Sequence, residues 1–301
     1  MRIFLILGIA FVVGCGSLPG QESNADTLLT MEGGTPVVIP RARQFDVVSR
    51  INGQTYRIMV ATPHAADPAR SYPVLYVLDG NQYFGTASEA LTRQSALRDA
   101  APGIIVGIGY PTDDPREVFR RRAFDLTPSP SKVAGKHGGG DAFLRVVEEE
   151  VKPFVQARYK VDASNQIIWG QSIAGLMVLR QLFLNPMAFS TYILSSPSIW
   201  WNDREVLRDE ERFALAIRSS DLKLKVLITS ASDEQYRGSD PRLLAESDAE
   251  RMVDNASELA DRLAKLKPQL TVARAIFDGE LHSTVSQASL SRALRFAFPL
   301  K

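Results

Sequence analysis

Gly170-Gln171-Ser172-Ile173-Ala174-Gly175 lies between an apolar run, Gln166 to Trp169, and a helix-like run, Leu176 to Leu184. A serine on a sharp strand-to-helix turn, with small residues around it, has the pattern of a nucleophile elbow. The turn lifts the hydroxyl clear of the backbone and aims the following N–H groups at the same space. In the usual form, G-x-S-x-G, a glycine stands where this chain has Ala174. Alanine is small enough for such a turn if its backbone dihedrals are ordinary.

Working outward, strand and helix signals alternate on both sides of the elbow. Phe45 to Arg50 and Thr55 to Thr62 bracket Asn52-Gly53, a strong hairpin signal. Val74 to Leu78 and Ile104 to Ile108 read as buried strands, with Ala87 to Ala100 helix-like between them. Asp141 is expected to cap a helix whose apolar face carries Phe143, Val146, Val147, Val151, Phe154 and Val155. After the elbow, Tyr192 to Leu194, Lys225 to Thr229 and Thr271 to Phe277 read as strands, and Leu243 to Leu266 and Thr284 to Phe298 as long helices. The order predicts an α/β three-layer sandwich with a mostly parallel sheet and an N-terminal antiparallel hairpin. Ligands of such sheets bind at the carboxyl ends of the strands. The longest irregular stretch, Tyr110 to Gly140, is of a length usually tied to function or mobility.

A serine hydroxyl needs a base to take its proton and a third group to orient that base. In elbow-type hydrolases the order along the chain is serine, acid, histidine. The chain has three histidines: His64, His137 and His282. His282 follows the last strand in Phe277-Asp278-Gly279-Glu280-Leu281-His282-Ser283, where the base is expected. His64 reads as a solvated turn residue and His137 as a loop residue. The acid is expected after the Lys225 strand, in Ser230-Ala231-Ser232-Asp233-Glu234-Gln235. Adjacent side chains point differently, so one of Asp233 and Glu234 faces the base; Asp254 and Asp278 are weaker alternatives. The oxyanion donors are expected to be the N–H of Ile173 and a backbone N–H in Asp79-Gly80-Asn81-Gln82, with Asn81 preferred.

Together these segments resemble the esterase family of α/β-hydrolases that includes bacterial enterobactin and salmochelin esterases. The resemblance runs from about Gln44 to Pro299. It rests on Tyr72-Pro73-Val74-Leu75-Tyr76-Val77-Leu78-Asp79-Gly80-Asn81, on Arg122 with Asp125-Leu126-Thr127-Pro128, and on Asp141-Ala142-Phe143-Leu144. The elbow, Ser195-Ser196-Pro197-Ser198-Ile199-Trp200-Trp201 and Gly279-Glu280-Leu281-His282-Ser283 complete it. It implies that Ser172 is the nucleophile, His282 the base and Glu234, rather than Asp233, the acid. The chain departs from the pattern at Ala174 and at Phe124, where many relatives carry a second arginine.

Arg120-Arg121-Arg122 precedes the nucleophile, and arginines pair with anionic aromatic ligands and stack on their rings. Arg122 and Trp200 are therefore expected substrate contacts, with Trp201 a second aromatic candidate. A catecholate siderophore ester is the leading expectation. A general acyl, feruloyl or carbohydrate esterase, and a non-catalytic binding protein of the same fold, are the alternatives. No cofactor is implied: there is no H-E-x-x-H, no cysteine cluster and no G-x-G-x-x-G after a strand. A net charge of +1 in 301 residues gives no sign of a nucleic-acid partner.

The one cysteine, Cys15, follows Arg2 and the apolar run Ile3 to Val13. That run is too short to span a bilayer, which takes roughly 20 apolar residues, and it matches a secretory signal. Val12-Val13-Gly14-Cys15 resembles a bacterial lipobox, implying cleavage before Cys15 and lipidation of it. Several acyl chains on one residue anchor stably, and Gly16-Ser17 lacks the aspartate linked to inner-membrane retention. The expected organisation is a signal peptide over residues 1–14, a lipidated tether over 15–40, and an esterase domain over 41–301 facing the periplasm from the outer membrane.

Overall fold

Strands as continuously apolar as Val74 to Val77 need cover on both faces, and the computed structural model supplies it with helices on each side of one sheet. The structure describes residues 37–131, 135–235 and 240–300. The signal and lipobox assignments, Cys15 included, lie outside those residues. The strands are β1 (Ala42–Val48), β2 (Thr55–Ala61), β3 (Tyr72–Val77), β4 (Ile104–Gly109), β5 (Val161–Gln171), β6 (Thr191–Ser195), β7 (Leu224–Ala231) and β8 (Leu270–Phe277). They form one eight-stranded sheet in the order β1-β2-β4-β3-β5-β6-β7-β8. β1, β2 and β4 pair antiparallel, and every later pairing is parallel.

The helices are α1 (Gly80–Ala96), α2 (Pro115–Asp125), α3 (Gly140–Arg145), α4 (Lys152–Gln156), α5 (Ile173–Leu184), α6 (Trp201–Arg204), α7 (Glu210–Arg218), α8 (Pro241–Glu250), α9 (Met252–Leu263) and α10 (Val285–Ala297). A π-helical turn, Val146–Val151, joins α3 to α4. β5 separates two cores by strict alternation. Ile168 faces the larger one, with Leu176 and Leu179 of α5 and Leu259 of α9. Ile167 and Trp169 face the other, with Phe84 of α1 and Leu290 of α10. The chain turns back between β3 and β5, which puts a crevice at their carboxyl ends.

Several expected boundaries move, each for a local reason. α1 begins at Gly80 rather than Ala87, so the turn after β3 is also the start of a helix. A Cβ at residue 80 would lie 2.7 Å from the Ile108 nitrogen, and glycine lets the helix start against β4. The stretch from Tyr110 contains α2, opened by Asp114, which accepts the Arg116 N–H, and by Pro115 at the first helical position. Asp141 is no cap: its carboxylate takes two bonds from Arg180, and α3 starts one residue earlier. The long helix expected over Leu243 to Leu266 is broken into α8 and α9 at Arg251, whose φ of 46° is left-handed. Among the described residues no helix is long and apolar enough to cross a membrane.

Candidate active site

β5 delivers Ser172 to the crevice with φ 60° and ψ −124°, a conformation costly for any residue with a Cβ. Neighbouring backbone holds the strain. The Ser172 N–H donates to Ser195 C=O at 3.0 Å, and Ser172 C=O accepts from Ser198 N–H at 3.1 Å and Leu176 N–H at 3.0 Å. The tight packing falls on Gly170, where a Cβ would sit 2.5 Å from the Ala174 carbonyl oxygen. Ala174 itself is a buried residue within α5. A glycine is thus required before the serine, and alanine suffices after it.

His282 comes from the loop after β8, and Glu234 from the short 3₁₀ turn Ser232–Glu234 after β7. Nδ1 of His282 is 2.6 Å from Oε1 of Glu234. The Glu234 side chain is 1% exposed, and its Oε2 accepts the Ala231 N–H at 2.8 Å. A carboxylate only accepts, so Nδ1 carries the proton and Nε2 is left with its lone pair. Asp233 turns the other way and accepts from the Ser232 hydroxyl at 2.7 Å. Asp254 accepts from Gln235, and Asp278 is exposed.

Ser172, Glu234 and His282 line one open cleft of about 160 Å³ together with Ser198, Trp200, Glu250 and Met252. Ser172 Oγ lies 3.3 Å from Ser198 Oγ, and among the described residues no hydrogen bond joins it to His282. Catalytic contacts of this kind commonly tighten only with substrate. A larger apolar cavity, about 270 Å³, lies at the amino end of β4 beside α1 and holds His64 on its rim, away from this chemistry.

Ile173 is the first residue of α5 and Asn81 the second of α1, so both N–H groups belong to helix first turns, which have no intrahelical partner. The Asn81 side chain is occupied elsewhere: it accepts the Tyr110 N–H at 2.7 Å and donates to the Tyr110 and Thr112 carbonyls. Asp79, just before, is left-handed at φ 54° and buried.

The three consecutive arginines all have partners inside the protein. Arg120 pairs with Glu117, Arg121 donates to Thr55 C=O and lies over the Tyr110 ring, and Arg122 makes a two-point contact with Asp79. Arg122, expected to meet substrate, is paired with Asp79 at the turn that opens α1 and is not among the residues that line the cleft. Trp200 lines the cleft, whereas Trp201 is buried in the core against His137, with ring centroids 5.1 Å apart. Phe124 lies across Gly139, where a Cβ would be 2.5 Å from its ring. Sequence reasoning missed Ser198, Gln171, Glu250 and Met252. Ser198 and Gln171 lie inside the motifs that carry the resemblance, and the other two lie in the stretch whose pattern predicts one unbroken helix. Among the described residues no cluster of His, Cys, Asp and Glu is built to hold a metal ion.

A serine on a strained turn at the end of a central parallel strand, with a carboxylate-bound histidine across the cleft, defines an α/β-hydrolase. The family model described as "Putative esterase" matches residues 49–276. The chain is 36% identical to the ferri-bacillibactin esterase BesA of Bacillus subtilis, over 88% of this chain and 93% of that protein. It is also 36% identical to the siderophore triacetylfusarinine C esterase of Aspergillus fumigatus, over 88% and 95% of the two chains. The crystal structure of the BES protein from Bacillus cereus superposes with a TM-score of 0.78 at 33% identity, covering 89% of this chain and 98% of that one. The chain belongs to this esterase family and is a carboxylic ester hydrolase.

Proposed function

We propose that the chain hydrolyses an ester bond of a siderophore through an acyl-enzyme on Ser172. The observation that carries the mechanism is the 2.6 Å contact between His282 and the buried Glu234, in the cleft that also holds Ser172. Ser172 Oγ attacks the ester carbon as His282 Nε2 takes its proton. The carbonyl oxygen gains the charge and is met by the Ile173 N–H and the Asn81 N–H. Each such donor is worth about 3 kcal/mol in the transition state. The intermediate collapses, and the departing alkoxide takes the proton from His282. Water then repeats the sequence on the acyl-enzyme, releasing the acid and restoring Ser172.

The substrate class is supported by two relatives named for siderophores, each matching 88% of the chain. Among siderophores a catecholate ester is proposed, with Trp200 as an aromatic wall of the cleft. The pairing of Arg120, Arg121 and Arg122 within the protein favours a second reading, a less anionic small ester. The lipobox-like Val12-Val13-Gly14-Cys15 supports a lipid anchor in the cell envelope, facing the periplasm. Cys15→Ala is expected to release the protein from the membrane fraction; unchanged retention overturns the anchor.

The full chain and Ser172→Ala are incubated with ferric enterobactin, its iron-free form and p-nitrophenyl butyrate, and the products followed by mass spectrometry. Cleavage of a siderophore by wild type and not by the variant is expected. Turnover of the simple ester alone overturns the siderophore, and equal rates for the two proteins overturn the serine mechanism in favour of a binding role.

A further inference from the structure

Gln171 occupies the variable position of the elbow, one residue before Ser172, and is buried. Strand alternation turns it away from the cleft, toward the face where Trp169 packs edge-on against Tyr83 of α1 at 4.9 Å between ring centroids. Its Oε1 accepts the Tyr83 hydroxyl at 2.8 Å. Its Nε2 donates to the backbone carbonyl of His282 at 2.7 Å. A carbonyl can only accept, so the amide nitrogen must face His282 and the amide oxygen Tyr83. Both ends of the amide are used.

The loop that carries His282 is braced within itself, where the Leu281 carbonyl accepts the Thr284 and Val285 N–H groups and the Leu281 N–H donates to Thr284 Oγ1. Residues 281 to 284 are exposed, and Gly279 is left-handed at φ 70°. One side is tied to the acid's turn: Asp233 N–H donates to Glu280 C=O at 3.1 Å, Gly279 N–H donates to Ser232 Oγ at 2.8 Å, and Glu234 holds the imidazole. Those bonds fix the base to the acid and leave open its distance from the nucleophile. Among the described residues, the hydrogen bond from Gln171 is the one that ties the elbow strand to the base's own residue.

We infer that Gln171, oriented by Tyr83, is a positioning residue that sets the reach of His282 toward Ser172. The inference rests on Ser172 and His282 acting as nucleophile and base. Because the contact is to backbone, it fixes where the imidazole starts without entering the reaction itself. Displacement of a reacting group by about 1 Å is enough to cost on the order of 10²-fold in rate.

Gln171→Leu, Gln171→Glu and Tyr83→Phe are compared with wild type and Ser172→Ala on p-nitrophenyl butyrate. Active sites are counted by stoichiometric release of p-nitrophenol from a phosphonate ester, so that lost protein is separated from slowed protein. Gln171→Leu is expected to lower kcat per active site by about 10- to 100-fold with KM changed less than about threefold. Tyr83→Phe keeps the donor amide and is expected to lose less. Gln171→Glu is nearly isosteric and carries a signature that altered packing does not. Its protonated carboxyl can donate to the His282 carbonyl and its ionised form cannot, so its kcat/KM relative to wild type falls as pH rises from 5 to 8. A per-site kcat within twofold of wild type in Gln171→Leu, or a ratio for Gln171→Glu that is flat with pH, overturns the positioning role. Should Gln171→Leu not fold, the Glu variant's pH ratio decides alone. Activity surviving in Ser172→Ala would instead overturn the underlying serine mechanism.

Discussion

Arg122 holds Asp79 by two parallel hydrogen bonds, 3.0 Å and 2.8 Å long, and the carboxylate so held is 1% exposed. Asp79 is the left-handed residue on which the chain leaves β3 and enters α1. The pair is therefore a strut beneath the turn that carries Asn81, the proposed oxyanion donor. Arg122→Met leaves a buried carboxylate without its cation, and is expected to cost about 3–5 kcal/mol of stability in denaturant unfolding. Arg122→Lys keeps the charge, loses the fork and falls between. A variant of unchanged stability with a raised KM would return Arg122 to the role of a substrate contact.

Glu234 and Asp233 are neighbours with opposite duties. Glu234→Gln exchanges an acceptor for an amide that no longer fixes the imidazole tautomer, and kcat is expected to fall about 10²- to 10⁴-fold. Asp233→Asn touches only the Ser232 hydroxyl and is expected to stay within about twofold. Steady-state kinetics on a chromogenic ester measures both; a reversed order would exchange the two assignments.

The elbow tolerates small changes on one side only. Gly170→Ala drives a Cβ to within 2.5 Å of the Ala174 carbonyl oxygen, so little folded, active protein is expected from it. Ala174→Gly restores the common motif, and its expected cost is about 1 kcal/mol of helix propensity with kcat changed less than about threefold. Thermal melting and kcat on the two purified variants measure the asymmetry.

Asp125 contributes a pH dependence to stability. Burial raises its carboxyl to about 6, against the hydrogen bond from Tyr56 and the nearby charge of Arg121. The folded protein thus holds this proton more tightly than the unfolded chain. The stability it brings is complete below the unfolded carboxyl value of about 3.9 and is lost as pH rises through about 6. Asp125→Asn cannot ionise, so the melting temperature of the variant minus that of wild type is expected to grow from pH 5 to pH 7.5. A constant difference would show that the carboxyl does not change charge in that window.

The places of Ser172, Glu234 and His282 are legible in the sequence because each follows a strand end, and strand ends show as abrupt losses of apolar character. Ser172, Glu234 and His282 fall after β5, β7 and β8. What escaped was set by contacts distant in sequence. Arg120, Arg121 and Arg122 look like a free basic cluster until Glu117, Thr55 and Asp79 are seen to hold them. The break at Arg251 has neither glycine nor proline to announce it, and it brings Glu250 and Met252 to the cleft. The start of α1 lies seven residues before the helix-like run, because Tyr83 and Phe84, whose rings pack under the sheet, follow a turn-like Asp79-Gly80-Asn81. Asp114-Pro115 did carry a readable start signal for α2, obscured by the polarity of the helix that follows it.

The separation of 110 residues between Ser172 and His282 also orders events in time. A ribosome finishes Ser172 and its strained turn well before it makes His282, which follows β8. Until β8 has joined the sheet's edge and carried His282 into place, the growing polypeptide holds Ser172 without the imidazole proposed to draw off its proton. A copy cut short before β8 is therefore expected to carry the strained elbow without hydrolytic activity.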